Sequence, residues 1–118
     1  PDDDVLAGGT GDDILRGGLG NDILDGGEGL NDSVEYVTAA AGVSVSLAAA
    51  DGQLDGDGGR DILRNVESLR GSAYADALTG DSRANTLRGG LGEDTLSGGA
   101  GNDVYIYVVG DGLDTVSE

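Results

Sequence analysis

The sequence predicts an all-β fold, a β-solenoid built from nonapeptide repeats. The repeat is Gly-Gly-x-Gly-x-Asp-x-U-x, where U is a large apolar residue, and its clearest copies are GGTGDDILR (Gly8–Arg16), GGLGNDILD (Gly17–Asp25), GGLGEDTLS (Gly89–Ser97) and GGAGNDVYI (Gly98–Ile106). Its glycines allow tight turns, and its apolar residue faces a core from a short strand. With 24 glycines and four aromatic residues among 118, the chain has too few large side chains for an ordinary packed globule.

The charge of the chain indicates that its folding requires cations. It carries 23 acidic residues against six arginines and no lysine, a formal net charge of −17. Carboxylates at this density repel one another, so the metal-free chain is expected to lie near the disordered class. Folding and the binding of divalent cations are therefore predicted to be one event. The same charge argues against nucleic acid and anionic membranes as partners.

The residue types that the chain lacks exclude several kinds of site. Without Cys and His there are no disulfides, no Cys/His zinc sites, no thiol nucleophile and no Ser-His-Asp catalysis. Carboxylates and backbone carbonyls remain, and these hard oxygen ligands suit Ca²⁺. Paired carboxylates recur at every turn, whereas an active site occurs once, so we predict that the domain is not an enzyme. No apolar run is long enough to predict a membrane span.

Three zones make up one continuous predicted domain. Residues 1–34 hold N-terminal repeats, 35–70 form an irregular connecting segment, and 71–118 hold C-terminal repeats and a terminal strand. A longer apolar strand is predicted from Val104 to Val109, followed by a last partial copy. Position six of the repeat is occupied by Asp4, Asp13, Asp22, Asp32, Asp76, Asn85, Asp94, Asp103 and Asp114.

The connecting segment breaks the nine-residue period. Val43, Val45 and Leu47 alternate with serines, which predicts a half-buried strand, and longer strands are expected to interrupt or extend the repeats here. The runs Ala39–Ala41 and Ala48–Ala50 are too short to stand as helices. Residues 51–60 are predicted as a loop, although Gly56–Arg64 also fits a degenerate repeat with Asp61 at position six and Leu63 at position eight.

Stacking of alternate turns brings position-six side chains together. A six-residue turn and a three-residue strand make one repeat, and two repeats make one coil, so turns i and i+2 lie about 4.8 Å apart. A Ca²⁺ between two such carboxylates converts their repulsion into ligation. The predicted pairs are Asp4 with Asp22, Asp13 with Asp32, Asp76 with Asp94, Asn85 with Asp103, and Asp94 with Asp114.

Some of these pairs are expected to differ from the rest. The neutral Asn85 should give a weaker site, because it offers an amide oxygen in place of a carboxylate. The two outer pairs break the strict period, through the extra Leu30 and through the longer interval before Asp114. The full set of predicted metal-site residues adds turn glycines and Asp61 to the position-six residues: Asp4, Gly8, Gly9, Gly11, Asp13, Gly17, Gly18, Gly20, Asp22, Gly27, Gly29, Asp32, Asp61, Asp76, Asn85, Gly89, Gly90, Gly92, Asp94, Gly98, Gly99, Gly101, Asp103 and Asp114.

The GGxGxD copies resemble the RTX (repeats-in-toxin) haemolysin-type calcium-binding family over nearly the whole chain, and NVESLRGSAYADALTGDSRANTLRGG resembles its degenerate connecting segments. The resemblance implies a right-handed parallel β-roll with Ca²⁺ in its turns. For the sites of this chain we expect about three to seven bound ions. The resemblance also implies export by a type I secretion system and folding outside the cell. The chain is then expected to be a piece of a larger secreted, extracellular protein, with flanking domains as partners.

Two functions remain open at this point. One is a calcium-triggered folding and secretion module, and the other is a calcium-dependent binding module for an acidic polysaccharide such as alginate or for a cell surface. Arg16, Arg64, Arg70 and Arg88 at position nine either bind such a polysaccharide or relieve repulsion between acids, and Tyr74, Tyr105 and Tyr107 either stack on sugars or cap the roll. The surplus acids are expected to be mostly solvated: Asp2, Asp3, Asp12, Asp25, Asp51, Asp55, Asp57 and Glu93.

Overall fold

The computed structural model describes residues 2–49, 53–108 and 110–117. All regular secondary structure in these ranges is β-strand. The same ranges contain no helix long and apolar enough to cross a membrane. The strands are β1 (Val5–Thr10), β2 (Ile14–Leu15), β3 (Ile23–Glu28), β4 (Ser33–Glu35), β5 (Ser44–Ser46), β6 (Gln53–Leu54), β7 (Arg60–Arg64), β8 (Ser68–Arg70), β9 (Ala77–Thr79), β10 (Thr86–Arg88), β11 (Thr95–Ser97), β12 (Val104–Tyr105) and β13 (Thr115–Ser117).

Two sheets face each other across the core. One has eight strands in the order β1-β3-β7-β6-β5-β9-β11-β13, and the other has five in the order β2-β4-β8-β10-β12. Repeat strands alternate between the sheets, so a strand pairs in parallel with the strand two repeats later, as Leu6 does with Leu24 and Leu87 with Tyr105. The prediction of an all-β parallel roll with two repeats per coil is confirmed.

Position-eight side chains form the core. They point inward because neighbouring side chains in a strand alternate between its two faces. The buried members are Leu15, Leu24, Val34, Leu63, Leu69, Leu78, Leu87 and Leu96. Residues one place earlier point outward, and Val5 and Ile14 are 76% and 65% exposed. Burying one such leucine contributes roughly 1.5–3 kcal/mol, so the stacked column is the main apolar support of the roll.

The connecting segment enlarges only one of the two sheets. Strands β5 and β6 lie between β7 and β9, and β6 runs antiparallel to both β5 and β7. In the other sheet β8 pairs directly with β4 and β10. The degenerate repeat Gly56–Arg64 is confirmed, because Leu63 pairs with Leu24 at the inward position. The expected longer strands are found only in part, because β7 has five residues but β5 has three and β6 has two, and the repeat strands β1 and β3 with six residues each are longer than all of them.

Two predictions about irregular segments need correction. The loop predicted for residues 51–60 is wrong at Gln53–Leu54, which form β6, and at Arg60, which begins β7; Asp51 and Gly52 lie outside the described residues. The long strand predicted from Val104 is also wrong, because β12 ends at Tyr105. Its neighbour β10 ends at Arg88, so the chain beyond Ile106 has no strand to pair with; Val109 lies outside the described residues. Of the three tyrosines expected either to cap the roll or to stack on sugars, Tyr105 packs against the core, whereas Tyr74 and Tyr107 are exposed.

Candidate metal centre

Position-six residues form a hydrogen-bonded column along each line of turns. In each predicted pair the backbone N–H of the first residue donates to Oδ1 of the second, at 2.8 Å from Asp4 to Asp22 and 2.9 Å from Asn85 to Asp103. The remaining pairs do the same: Asp13 to Asp32, Asp76 to Asp94, and Asp94 to Asp114. The pairing predicted from the period is therefore confirmed as geometry.

The two irregular pairs keep this register because the extra residues leave the turn. Leu30 is 90% exposed, and its side chain takes no part in the core. The longer interval before Asp114 is absorbed before β13, where Thr115 pairs with Thr95 as in the other coils.

In several of these residues the second carboxylate oxygen is buried and has no protein partner. In the described residues the buried Oδ2 atoms without a hydrogen bond belong to Asp13, Asp22, Asp32, Asp55, Asp61, Asp94 and Asp103. Leaving a buried polar atom unpaired costs about 1–3 kcal/mol, and more when the group is charged. A cation beside each oxygen removes that cost. These orphaned oxygens are the feature of the turns that fits Ca²⁺ best.

Two of these carboxyls have raised pKa values because they are buried. Burial raises the pKa of Asp94 to about 6; the N–H of Asp76 opposes the shift, and the charges of Asp76, Asp114 and Asp111 add to it. Burial likewise raises the pKa of Asp61 to about 6, against the hydrogen bond from the Asp22 N–H. Without a cation the turns therefore disfavour the ionised carboxylates that calcium requires.

The first glycine of a repeat leaves room for the carboxylate and for a carbonyl of the stacked turn. A Cβ atom at Gly8 would lie 2.6 Å from Oδ2 of Asp13 and 2.5 Å from the carbonyl oxygen of Gly26. The second and third glycines are needed for the backbone conformation of the turn, since φ is +102° at Gly9 and +104° at Gly11. Only glycine adopts such angles without strain, and the turn can then present its carbonyl oxygens. Carboxylate and carbonyl oxygens converging on one space are the ligand types of a calcium site.

The predicted position-six residues are not equivalent in the structure. Asp76 is satisfied without a cation: its Oδ1 accepts bonds from the Val43 N–H and the Ser72 hydroxyl, and its Oδ2 accepts the Ser72 N–H. Asn85 accepts the N–H of Asp81, and its amide donates to the carbonyl of Glu67. In both repeats a polar residue replaces the second glycine and bonds to position six. Asp4 is exposed and Asp114 half-buried, since they lie in the end coils.

Sequence reasoning missed Glu67. In the short turn between β7 and β8 it takes the place of the position-six Asp, and its Oε2 accepts the N–H of Asp32 at 3.1 Å. Its other oxygen forms an ion pair with Arg83 at 2.6 Å. No glycine marks this turn, but Glu67 precedes the buried Leu69 by two residues, as Asp precedes U in the repeat. That spacing was the available signal.

Asp55 and Gly26 are the other differences from the prediction. Asp55 was expected to be solvated, but it is buried, and its Oδ1 accepts the N–H groups of Asp57 and Gly59. Gly26 was not among the predicted residues, yet a Cβ there would lie 2.8 Å from Oδ2 of Asp32. Among the other predicted glycines, Gly90 and Gly99 lie in turns and repeat the positive φ of Gly9, as does Gly27, which lies in β3. In the described part of the chain no three acidic side chains converge to hold a metal alone, so carbonyl ligands are required.

Position-nine arginines contact acids on the outer face of the five-stranded sheet. Arg16 and Arg70 bind the two oxygens of Glu35 at 2.5 Å and 3.1 Å. Although burial opposes it, the hydrogen bonds and charges of these arginines lower the pKa of Glu35. In the other sheet Arg64 lies beside Asp25. The ion pairs favour relief of acid repulsion as the role of Arg16 and Arg70.

Comparison with protein families identifies the repeat that forms these turns. The model of the RTX calcium-binding nonapeptide repeat matches four copies, over residues 1–32 and 69–105. The chain belongs to this RTX family. Its fold is an RTX parallel β-roll, and its repeats are calcium-binding repeats. The match leaves out residues 33–68, which contain β5, β6 and Glu67. No curated protein is similar enough to this RTX chain to serve as a relative.

Proposed function

We propose that this RTX roll is a non-catalytic module whose folding is driven by extracellular Ca²⁺, and that it supports the secretion, folding and stability of a larger secreted protein. The observation that carries the proposal is the set of buried, unpartnered Oδ2 atoms in a chain of net charge −17. Four or five divalent ions would offset about half of that charge. We expect about three to seven bound ions, with affinities near 10⁻⁴–10⁻³ M as in other extracellular calcium modules.

The proposed role in secretion follows from the dependence of folding on calcium. In a calcium-poor cytosol the unpaired carboxylates keep the chain unfolded, which suits export through a type I secretion system. Outside the cell calcium closes the turns, and the folded roll supports the flanking domains of its parent protein. Membership of the RTX family supports this sequence of events. The absence of Cys and His from the sequence, and the repetition of the carboxylates at every turn, support a non-catalytic role.

Small-angle X-ray scattering across a calcium titration tests the proposal. The folded roll has a Cα radius of gyration of 12.8 Å. An unfolded chain of this length would measure about 35 Å. We expect collapse from the expanded to the compact state at roughly millimolar calcium, reversed by chelator. A compact particle in chelator would overturn the proposal.

A calcium-dependent binding module is the second candidate. The outer face of the five-stranded sheet bears a groove of about 340 Å³ lined by Ile14, Ser33, Arg70, Arg88 and Ile106, among others. The arginines and hydroxyls can hydrogen-bond an acidic sugar chain, provided that calcium offsets the charge of Asp12, Asp13 and Glu35, which also line the groove. Retention on an alginate gel with calcium and release by chelator would support this function, and passage through the gel in calcium would contradict it. An Arg88→Ala variant, which leaves the Glu35 ion pairs intact, provides the matched comparison.

A further inference from the structure

Asp55 is a buried carboxylate that lies outside the nonapeptide pattern. It is 1% exposed and belongs to the loop 55–59 between β6 and β7. Its Oδ1 accepts the N–H of Asp57 at 2.8 Å and the N–H of Gly59 at 2.9 Å, so one oxygen holds the loop together. Its Oδ2 is buried and has no partner among the described residues.

The space beside this Oδ2 is built like the turns of the repeats. A Cβ atom at Gly59 would lie 2.6 Å from Oδ2 of Asp55 and would collide with the carbonyl oxygen of Gly20 in the stacked turn. A Cβ atom at Gly8 would likewise lie close to Oδ2 of Asp13 and to a carbonyl oxygen of the next coil. In the repeat the carboxylate follows its glycine, whereas Asp55 precedes Gly59. Two different local sequences thus place a carboxylate and a carbonyl oxygen around one glycine.

A second buried group points to the same region. The Tyr36 hydroxyl lies beside Asp61 but makes no hydrogen bond of acceptable geometry, and the side chain is only 7% exposed. Asp22, Asp55 and Asp61 each have a buried Oδ2 without a hydrogen bond. Buried carboxylates and a buried hydroxyl without partners are costly, and a cation beside a carboxylate offsets that cost.

We propose that Asp55 is a ligand of a further divalent cation, bound with the Gly20 carbonyl oxygen between the loop 55–59 and the turn 17–22. The inference rests on the proposed function, because it assumes that the turns bind calcium. It extends that function to a residue which the repeat does not contain. The ion would fasten the β6–β7 hairpin, and with it the inserted strands, to the N-terminal coils.

Equilibrium dialysis with saturating calcium, comparing the unsubstituted chain with Asp55→Asn, tests the inference. Asparagine keeps an oxygen for the Asp57 and Gly59 N–H groups and removes the charge. We expect one ion fewer per chain, and faster amide hydrogen exchange in residues 55–59 at saturating calcium. Asp12→Asn, an exposed acid in another turn, should bind as many ions as the unsubstituted chain.

The outcomes separate the inference from the function on which it rests. If the unsubstituted chain binds no calcium, the proposed function fails; if it binds several ions and Asp55→Asn binds the same number, only the site at Asp55 fails. A calcium-loaded crystal structure of the unsubstituted chain decides the case if Asp55→Asn does not fold. Calcium about 2.3–2.6 Å from Oδ2 of Asp55 would support the site, and occupied repeats with no ion there would overturn it.

Discussion

The backbone N–H of Asp76 donates a hydrogen bond of 2.8 Å to Oδ1 of Asp94, eighteen residues later in the chain and one coil further along the roll. The Asp94 carboxylate therefore has two roles. Its Oδ1 ties two coils together, and its buried Oδ2 has no partner and is left for a cation. The nine-residue period places this arrangement at successive turns, so the chain couples its own stacking to ion binding.

Asp94→Asn separates the two roles. The amide oxygen still accepts the Asp76 N–H, but the charge for the cation is lost. We expect the midpoint of the calcium titration to rise by at least about tenfold, since a hydrogen bond or contact to a charged group contributes about 1.5–3 kcal/mol. Isothermal titration calorimetry measures the shift. Glu93→Gln is the control, because Glu93 is its exposed neighbour; equal midpoints for the two variants would contradict the prediction.

Gly17→Ala should remove an ion, whereas Gly18→Ala should only destabilise the roll. A Cβ at Gly17 would collide with Oδ2 of Asp22, but a Cβ at Gly18 has nothing within 4 Å. Gly18 has a φ of +91°, so alanine there costs backbone strain of about 1–2 kcal/mol. Calcium stoichiometry and thermal unfolding, measured together, distinguish the effects. An unchanged ion count in Gly17→Ala would show that the space beside Asp22 is not a calcium site.

Leu24→Ala should cost about 2–5 kcal/mol of unfolding free energy, because it empties a fully buried site in the core column. Ile14→Ala should change stability by less than about 0.5 kcal/mol, since Ile14 points outward. Urea unfolding in saturating calcium provides both values. Similar losses for the two variants would mean that the inward and outward positions are assigned wrongly.

The calcium-free roll should become less stable as the pH rises. The pKa of Asp61 and that of Asp94 are raised by burial to about 6, from an ordinary value of 3.8. The folded state thus favours the neutral carboxyl, a contribution fully present below about pH 3.8 and lost as the pH passes about 6. In chelator the folded fraction, measured by the β-rich far-UV circular dichroism signal, should therefore be larger at pH 4 than at pH 7, where the calcium-free chain is unfolded. In calcium the trend should reverse, because protons compete with the ion; a folded fraction that rises with pH in chelator would contradict this.

Glu35→Gln should have a small effect. The ion pairs to Arg16 and Arg70 involve partly exposed arginines, so the loss in stability should stay near 1 kcal/mol or below and shrink with added salt. The calcium stoichiometry should not change. A lower ion count, measured by equilibrium dialysis, would show that these pairs also support the turns.

The parts of the fold that follow from the period were predictable from the sequence. Leu24 and Leu87 lie in the core because each follows position six by two residues, and Asp13 meets Asp32 because alternate repeats share a side of the coil. Periodicity states which residues are equivalent. That equivalence was sufficient to predict the architecture and the stacked pairs.

The other features depend on contacts that no local pattern encodes. Strand β6 has only two residues, too few for a hydrophobic period, and it forms because β5 and β7 offer edges on both sides. Asp55 is buried because that hairpin closes around it. Asp76 looks like a ligand in sequence, but Ser72 satisfies its oxygens. Glu67 has the right spacing, but it lacks the glycines that mark a turn.

Far-UV circular dichroism during a calcium titration tests the coupling of folding to metal binding most directly. The structure predicts a change from a coil-like to a β-rich spectrum at roughly millimolar calcium, reversed by chelator. Magnesium at the same concentration should have little effect, because it demands a smaller octahedral shell and loses its water reluctantly. A β-rich spectrum that chelator leaves unchanged would contradict the account, since the buried carboxylates would then be tolerated without an ion.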